Sequence, residues 1–157
     1  MKEELKKDFL DAMKKTTSTV TVIASKDNQV QQAMTATSVV SLSLEPPSML
    51  ICINNEASIQ AILEKGKKLS INILSIEQKD LSDLCSDKAK EKLRFDGEHW
   101  DYHEDIPYSP KSVSNLFCEC VDSYKYETHR IYLCKVLSLI NNDSRDPLLY
   151  HNGFYNV

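Results

Sequence analysis

The sequence predicts a mainly β fold in a single domain spanning residues 1–157, with helices only at its periphery, and three observations carry that prediction. Residues 19–25 (TVTVIAS) form a β-branched run that suits a pleated, half-buried surface. Residues 34–54 (MTATSVVSLSLEPPSMLICIN) hold the alternation Val40, Ser41, Leu42, Ser43, Leu44 of a half-buried strand, followed by the apolar run 49–53 of a strand buried on both faces. Residues 115–126 and 130–140 then read as two long strands separated only by Glu127, Thr128 and His129. A chain of 157 residues is long enough to bury a real core without a second domain.

Taken in order, residues 3–14 predict a helix in which Leu5, Phe9 and Met13, with Leu10 alongside, make one apolar stripe to lie across a barrel mouth. Lys26, Asp27 and Asn28 predict a turn that leads the first strand into a second, from Val30 to Met34. Thr35, Ala36, Thr37 and Ser38 are small, so a planar or anionic ligand can approach their backbone; the same run also reads as the solvent face of a strand. Glu45, Pro46 and Pro47 place the proline pair in a turn or at a sheet edge, because proline lacks an N–H.

Residues 56–65 predict a helix with Ile59, Ile62 and Leu63 on one face and Gly66 as its stop. Asn54, Asn55 and Ser58 would then stand where unpaired N–H groups receive a phosphate, although N-capping accounts equally well for the two asparagines. Residues 69–74 alternate as a strand, in which the Asn72 amide must find hydrogen bonds. Ser75 and Gln78 have capping-box spacing and open a helix with Leu81, Leu84 and Cys85 inside. Residues 87–94 (DKAKEKLR) read as a solvated helix face, and one of Lys88, Lys92 or Arg94 can meet a phosphate. Residues 101–114, with Pro107 and Pro110, predict an irregular lid-like loop, and Asn152-Gly153 predicts a closing hairpin.

Composition excludes several functions. A net charge of −4 argues against nucleic acid as the main partner. No run approaches the roughly 20 apolar residues that cross a bilayer, and the start MKEELKKDFL is too charged for a signal peptide, so a cytoplasmic protein is expected. Cys52, Cys85, Cys118, Cys120 and Cys134 form no CxxC pair and read as reduced, buried thiols. His99 and His103 lie in the expected loop, and no metal site is expected. GxGxxG, Walker and GxSxG motifs are absent, which excludes Rossmann binding, NTP hydrolysis and serine hydrolysis.

The blocks FLDAMKKTTSTVTVIAS, MTATSVVSLSLEPPSMLICIN, LSINILS and PLLYHNGFY, in that order over nearly the whole chain, resemble the flavin reductase-like family of FMN-binding split barrels. The resemblance implies a split β-barrel of Greek-key type with peripheral helices, built as a homodimer. It implies an oxidoreductase that passes a hydride from NADH or NADPH to bound or exchanging FMN, or FAD, and hands reduced flavin to a partner oxygenase or another acceptor. The opposing reading is a split-barrel protein that holds flavin or haem without rapid nicotinamide turnover.

By the same likeness Thr35, Ala36, Thr37 and Ser38 cradle the flavin, and Asn54, Asn55 and Ser58 meet its phosphate or ribityl chain. Asn72 and Ile73 run beside the ring, Lys92 supplies a cation, and Tyr150 and His151 lie near the cofactor. His129 faces the nicotinamide, in a turn reading Glu127, Thr128, His129 where relatives usually carry Gly-Asp-His. Gln31, Gln32 and Ala33 likewise replace a glycine that relatives commonly have before Met34.

Overall fold

The computed structural model describes residues 1–157. Helix α1 (Lys2–Lys14) leads into β1 (Thr17–Thr19), β2 (Thr21–Asp27), β3 (Val30–Ala36), β4 (Val39–Leu44) and β5 (Pro47–Asn54). A 3-10 turn (Ser58–Ala61), β6 (Lys68–Ile73), a second 3-10 turn (Ile76–Gln78), α2 (Lys79–Ser86) and a 3-10 helix (Lys88–Leu93) follow. The chain ends with β7 (Asp101–His103), β8 (Ile106–Tyr108), β9 (Ser114–Tyr126), β10 (His129–Asn141), β11 (Leu149–His151) and β12 (Phe154–Tyr155).

Seven strands make one antiparallel sheet in the order β3-β2-β6-β9-β10-β5-β4. Its edge strands, β3 and β4, are consecutive in sequence and joined by Thr37 and Ser38 alone. A flat sheet would hold those edges about 29 Å apart, six gaps of about 4.8 Å, whereas the link spans at most about 11 Å. The sheet therefore curls into a barrel with an unpaired seam between β3 and β4. Bulges at Val121 in β9 and Leu137 in β10 add local bend.

Two apolar clusters hold the barrel. Ile23, Ile51, Ile53, Leu69, Ile71, Cys118, Cys120, Tyr132 and Cys134 fill the interior, with Ile59, Ile62 and Leu63 packed among them. Val22, Ala24 and Ala33, on the outer face of β2–β3, pack against Leu81 and Cys85 of α2 and against Leu148. Strand β2 is thus buried on both faces over its first five residues, which explains its nearly continuous apolar run. Each fully buried aliphatic side chain contributes about 1.5–3 kcal/mol relative to exposure.

Two hairpins fall where turn chemistry predicts. Asn28 takes a left-handed φ of 55° between β2 and β3, and Asn152 and Gly153 do so between β11 and β12, at 52° and 84°. Gln78 Oε1 accepts the Ser75 N–H at 3.0 Å, the expected capping contact. Pro47 opens β5, which pairs with the edge strand β4.

Four expectations are corrected and one is refined. Residues 56–65 form only the turn Ser58–Ala61, because the Gln60 amide folds back onto the Ile53 and Asn54 carbonyls at 3.1 and 2.9 Å while Ile59, Ile62 and Leu63 drop into the barrel. The helix expected over 87–94 is present as the 3-10 helix Lys88–Leu93, capped by Asp87 and Arg94. The expected loop 101–114 contains the β7–β8 hairpin, whose Glu104 and Asp105 both take left-handed φ without glycine, held by ion pairs to Lys68 and Lys26. In residues 49–53 only Ile51 and Ile53 are buried, since the outer face of β5 is uncovered. Helix α1 buries none of its stripe: Phe9 stays 59% exposed and Met13 45%. No helix is long and apolar enough to cross a membrane.

Candidate functional site

A cavity opens at the seam between β3, the Ser58–Ala61 turn and the corner after α2. Ala33, Met34, Thr35, Ala57, Ser58, Cys85, Ser86, Lys88 and Arg94 line it, with Glu56 and Glu91 at its walls. The 3-10 repeat of three puts Lys88, Glu91 and Arg94 on one face, turned inward. Lys92, the expected cation, is exposed on another face and does not reach the cavity. Asp87 caps this helix by accepting the Ala89 N–H at 2.9 Å.

Arg94 is only 7% exposed. Its guanidinium donates to the carbonyls of Ala33 (2.7 Å), Asp87 (3.1 Å) and Leu84 (3.3 Å), and no carboxylate pairs with it. A buried cation balanced only by carbonyl dipoles is costly, so this wall of the cavity can take an anion. Cys85 beside it stays neutral, because burial pushes its thiol up to about 12 against the opposing pull of Arg94.

From here the seam runs on as a groove. Thr35 and Ser86 are shared with a neighbouring cavity that adds Thr37, Ser82, Tyr150 and Tyr155. Thr37 and Tyr150 lead on to Ser38, Asn152 and Gly153, with Leu10 and Met13 of α1 as an apolar wall. Thr37 also borders a cavity containing Thr21, Val40, Met49 and Ile73. The Thr35 hydroxyl is used in the fold, donating to the Ser82 carbonyl at 2.7 Å and fastening β3 to α2. Thr37 and Ser38 are exposed, and their hydroxyls have no partner within the chain.

The C-terminal hairpin walls the groove. Tyr155 Oη contacts Ser82 Oγ at 2.9 Å and donates to Asp83 Oδ1 at 3.0 Å, while Asp83 Oδ2 accepts from Lys79 at 2.6 Å. The Lys79 hydrogen bond chiefly, and the Tyr155 bond after it, hold the Asp83 carboxyl below its usual range. The Tyr150 and Tyr155 rings meet edge to face, 5.4 Å between centroids.

Of the residues singled out in the sequence, Thr35, Thr37, Ser38, Ser58, Ile73 and Tyr150 line this groove. Ala36, between Thr35 and Thr37, turns its side chain into the barrel core, and its carbonyl accepts the Thr21 hydroxyl at 2.7 Å. The Asn72 side chain is committed to the fold. It is fully buried: Nδ2 donates to the Val22 carbonyl and Ser70 Oγ, and Oδ1 accepts from the Ser109 N–H and Asn115 Nδ2. No capacity is left for a cofactor.

Asn54 and Asn55 each fasten local backbone with part of the side chain, leaving Asn54 Nδ2 and Asn55 Oδ1 unused within the chain. Asn54 Oδ1 accepts the Glu56 N–H at 2.9 Å. Asn55 donates its side-chain N–H to the Glu127 carbonyl (2.7 Å) and its backbone N–H to that of Thr128 (2.9 Å). This clamp holds the turn in which Glu127 takes a left-handed φ of 48°. His129 follows as the first residue of β10; it is exposed, paired with Asn54, bonded through Nδ1 to the Thr128 hydroxyl at 2.9 Å, and lines none of these cavities. His151 Nδ1 meets the Thr17 hydroxyl at 3.1 Å, and His103 stacks on Phe117.

Sequence reasoning missed Ser82, Ser86 and Tyr155. The spacing of the two serines, four apart on one short helix, carried the signal.

An antiparallel barrel with one seam, and a ligand groove along that seam, defines the split-barrel class. The family model described as "Flavin reductase like domain" matches residues 13–157, and the chain belongs to that family. It is 33% identical to the reductase component of the FADH(2)-dependent resorcinol hydroxylase of Rhizobium sp. (strain MTP-10005), over 98% of this chain and 87% of that protein. It is 30% identical to the FMN reductase (NADH) RutF of Serratia proteamaculans, over 96% of this chain and 86% of that one. The solved flavin reductase PheA2 superimposes with a TM-score of 0.85 at 27% identity, covering 96% of this chain and 95% of that one.

Proposed function

We infer that the protein is a flavin reductase that passes a hydride from NADH or NADPH to FMN, or to FAD, held in the seam groove. The observation that carries this reading is the buried Arg94 guanidinium, without a carboxylate, at one end of a groove whose other end is small, polar and open. A planar ligand with a phosphate tail matches both ends. The names of the relatives support the same reaction, and the RutF relative supports NADH as donor.

In this reading Lys88, Arg94 and Ser58 hold the phosphate. Thr37 and Ser38 offer hydroxyl donors to the carbonyl edge of the ring, and Tyr150 walls its side. The flavin supplies the hydride acceptor; the chain's own residues bind and align the two reactants, a task that needs orientation more than acid–base chemistry. We assign His129, held in place by the Asn55 clamp, to contact with the nicotinamide.

We also propose a homodimer. Strand register places Val40, Leu50 and Leu133 in one row and Cys52, Ile131 and Tyr124 in the next, all on the outer face of the barrel. Val40 and Tyr124 are each 55% exposed, so the face is a large apolar surface awaiting cover. An oxygenase is the proposed recipient of reduced flavin, supported by the relative that is a hydroxylase's reductase component.

The test is an anaerobic titration. Protein loaded with FMN is expected to be yellow and to bleach when NADH is added. Failure to bind FMN, or a yellow colour that persists with NADH and NADPH, overturns the reading.

A further inference from the structure

We propose that Tyr155 is a positioning residue for the flavin groove, acting through Tyr150; the proposal rests on the flavin reading above. The C-terminal hairpin that carries both tyrosines is lightly attached. Strand β11 pairs only with the three-residue β1 and with β12, and Leu148, just before it, is its buried root. The turn adds a backbone bond, from Asn152 N–H to the Lys14 carbonyl at 3.0 Å, and His151 Nδ1 meets the Thr17 hydroxyl at 3.1 Å.

Tyr155 is the side chain that ties this hairpin to the opposite wall. Its phenol oxygen accepts from Ser82 Oγ and donates to Asp83 Oδ1, and Lys79 lies 5.3 Å from its ring centre while bonding the same carboxylate. Ser82 also receives the Thr35 hydroxyl on its carbonyl. One connected set of bonds therefore runs from β3 through α2 to Tyr155, and Tyr155 presents its ring edge to face with Tyr150. Tyr150 is the aromatic side chain that stands in the groove beside Thr37 and Ser38. Removing the Tyr155 oxygen unties this edge of the hairpin from α2 and loosens the hold on Tyr150 at the ring site, without altering any group at the phosphate end.

The experiment compares Tyr155→Phe, Tyr150→Ala and the double variant, measuring FMN Kd, KM and kcat with NADH in the full chain. Tyr155→Phe is expected to raise Kd and KM for FMN about tenfold, with kcat at saturating FMN within about twofold. On the Tyr150→Ala background the same change is expected to add less than about twofold, because the two act in series. An unchanged Kd in Tyr155→Phe overturns the proposal, as does a full tenfold loss repeated on the Tyr150→Ala background. If the unaltered protein binds no FMN, the flavin reading falls first and this inference with it; if it binds FMN and the cycle is additive, only this inference falls.

Discussion

The packed layer on the outer face of β6 and the seam groove treat their polar groups differently. In that layer, beneath residues 107–109, Asn72 spends both N–H groups and its carbonyl on Val22, Ser70, Ser109 and Asn115. At the seam, Thr37 and Ser38 keep their hydroxyls free, and Arg94 keeps a charge without a carboxylate. Residue type alone makes Asn72 look as good a ligand contact as Thr37. Unspent hydrogen-bonding capacity separates them.

The largest expected effect tests that separation from the packed side. Asn72→Ala leaves Ser109, Asn115 and the Val22 carbonyl short of partners and should cost on the order of 3 kcal/mol in urea unfolding. The folded remainder should bind FMN with unchanged Kd. Thr37→Leu sharpens the comparison from the groove side. It should weaken FMN about tenfold by filling the seam, while the melting temperature stays within about 2 °C because the site is exposed. If the two variants exchange these behaviours, the division between packed layer and groove is wrong.

Much of this architecture was legible in the sequence because it depends on local chemistry. Asn28 and Asn152-Gly153 announce their hairpins, the capping pair Ser75 and Gln78 announces the start of the α2 region, and alternation marks the strands. What was not legible depends on tertiary partners. Whether 88–93 winds as α or 3-10 decides that Lys88 rather than Lys92 enters the groove, and composition does not encode that choice. The Glu104-Asp105 turn uses left-handed φ without glycine or asparagine, so no turn signal marks β7–β8. The closing of the seam follows only once β3 and β4 are known to be the two sheet edges.

A smaller effect concerns the second arm of the site. His129→Ala should lower kcat/KM for NADH by about 5- to 30-fold through a lost contact of about 1–2 kcal/mol, with FMN Kd unchanged. Loss of flavin binding without a selective nicotinamide defect would contradict the assignment.

The smallest effect is a pH dependence. The Lys79 bond, and then the Tyr155 bond, depress the folded-state Asp83 pKa, so this carboxylate's stabilisation is fully present above its unfolded value of about 4 and is lost as pH falls through the lower folded value. Melting temperatures recorded from pH 5 down to 3 should therefore fall more steeply for the unaltered protein than for Asp83→Asn. Parallel curves would show that the carboxylate adds nothing to hairpin docking.

The most direct measurement compares FMN with riboflavin, which has the same ring and ribityl chain but no phosphate, in the unaltered protein and in Lys88→Ala. The unaltered protein should prefer FMN by at least about tenfold. Lys88→Ala should remove most of that preference by weakening FMN alone, leaving riboflavin affinity as it was. Equal affinity for the two ligands in the unaltered protein, or a Lys88→Ala variant that loses riboflavin as severely as FMN, would contradict a phosphate seated beside Lys88 and Arg94.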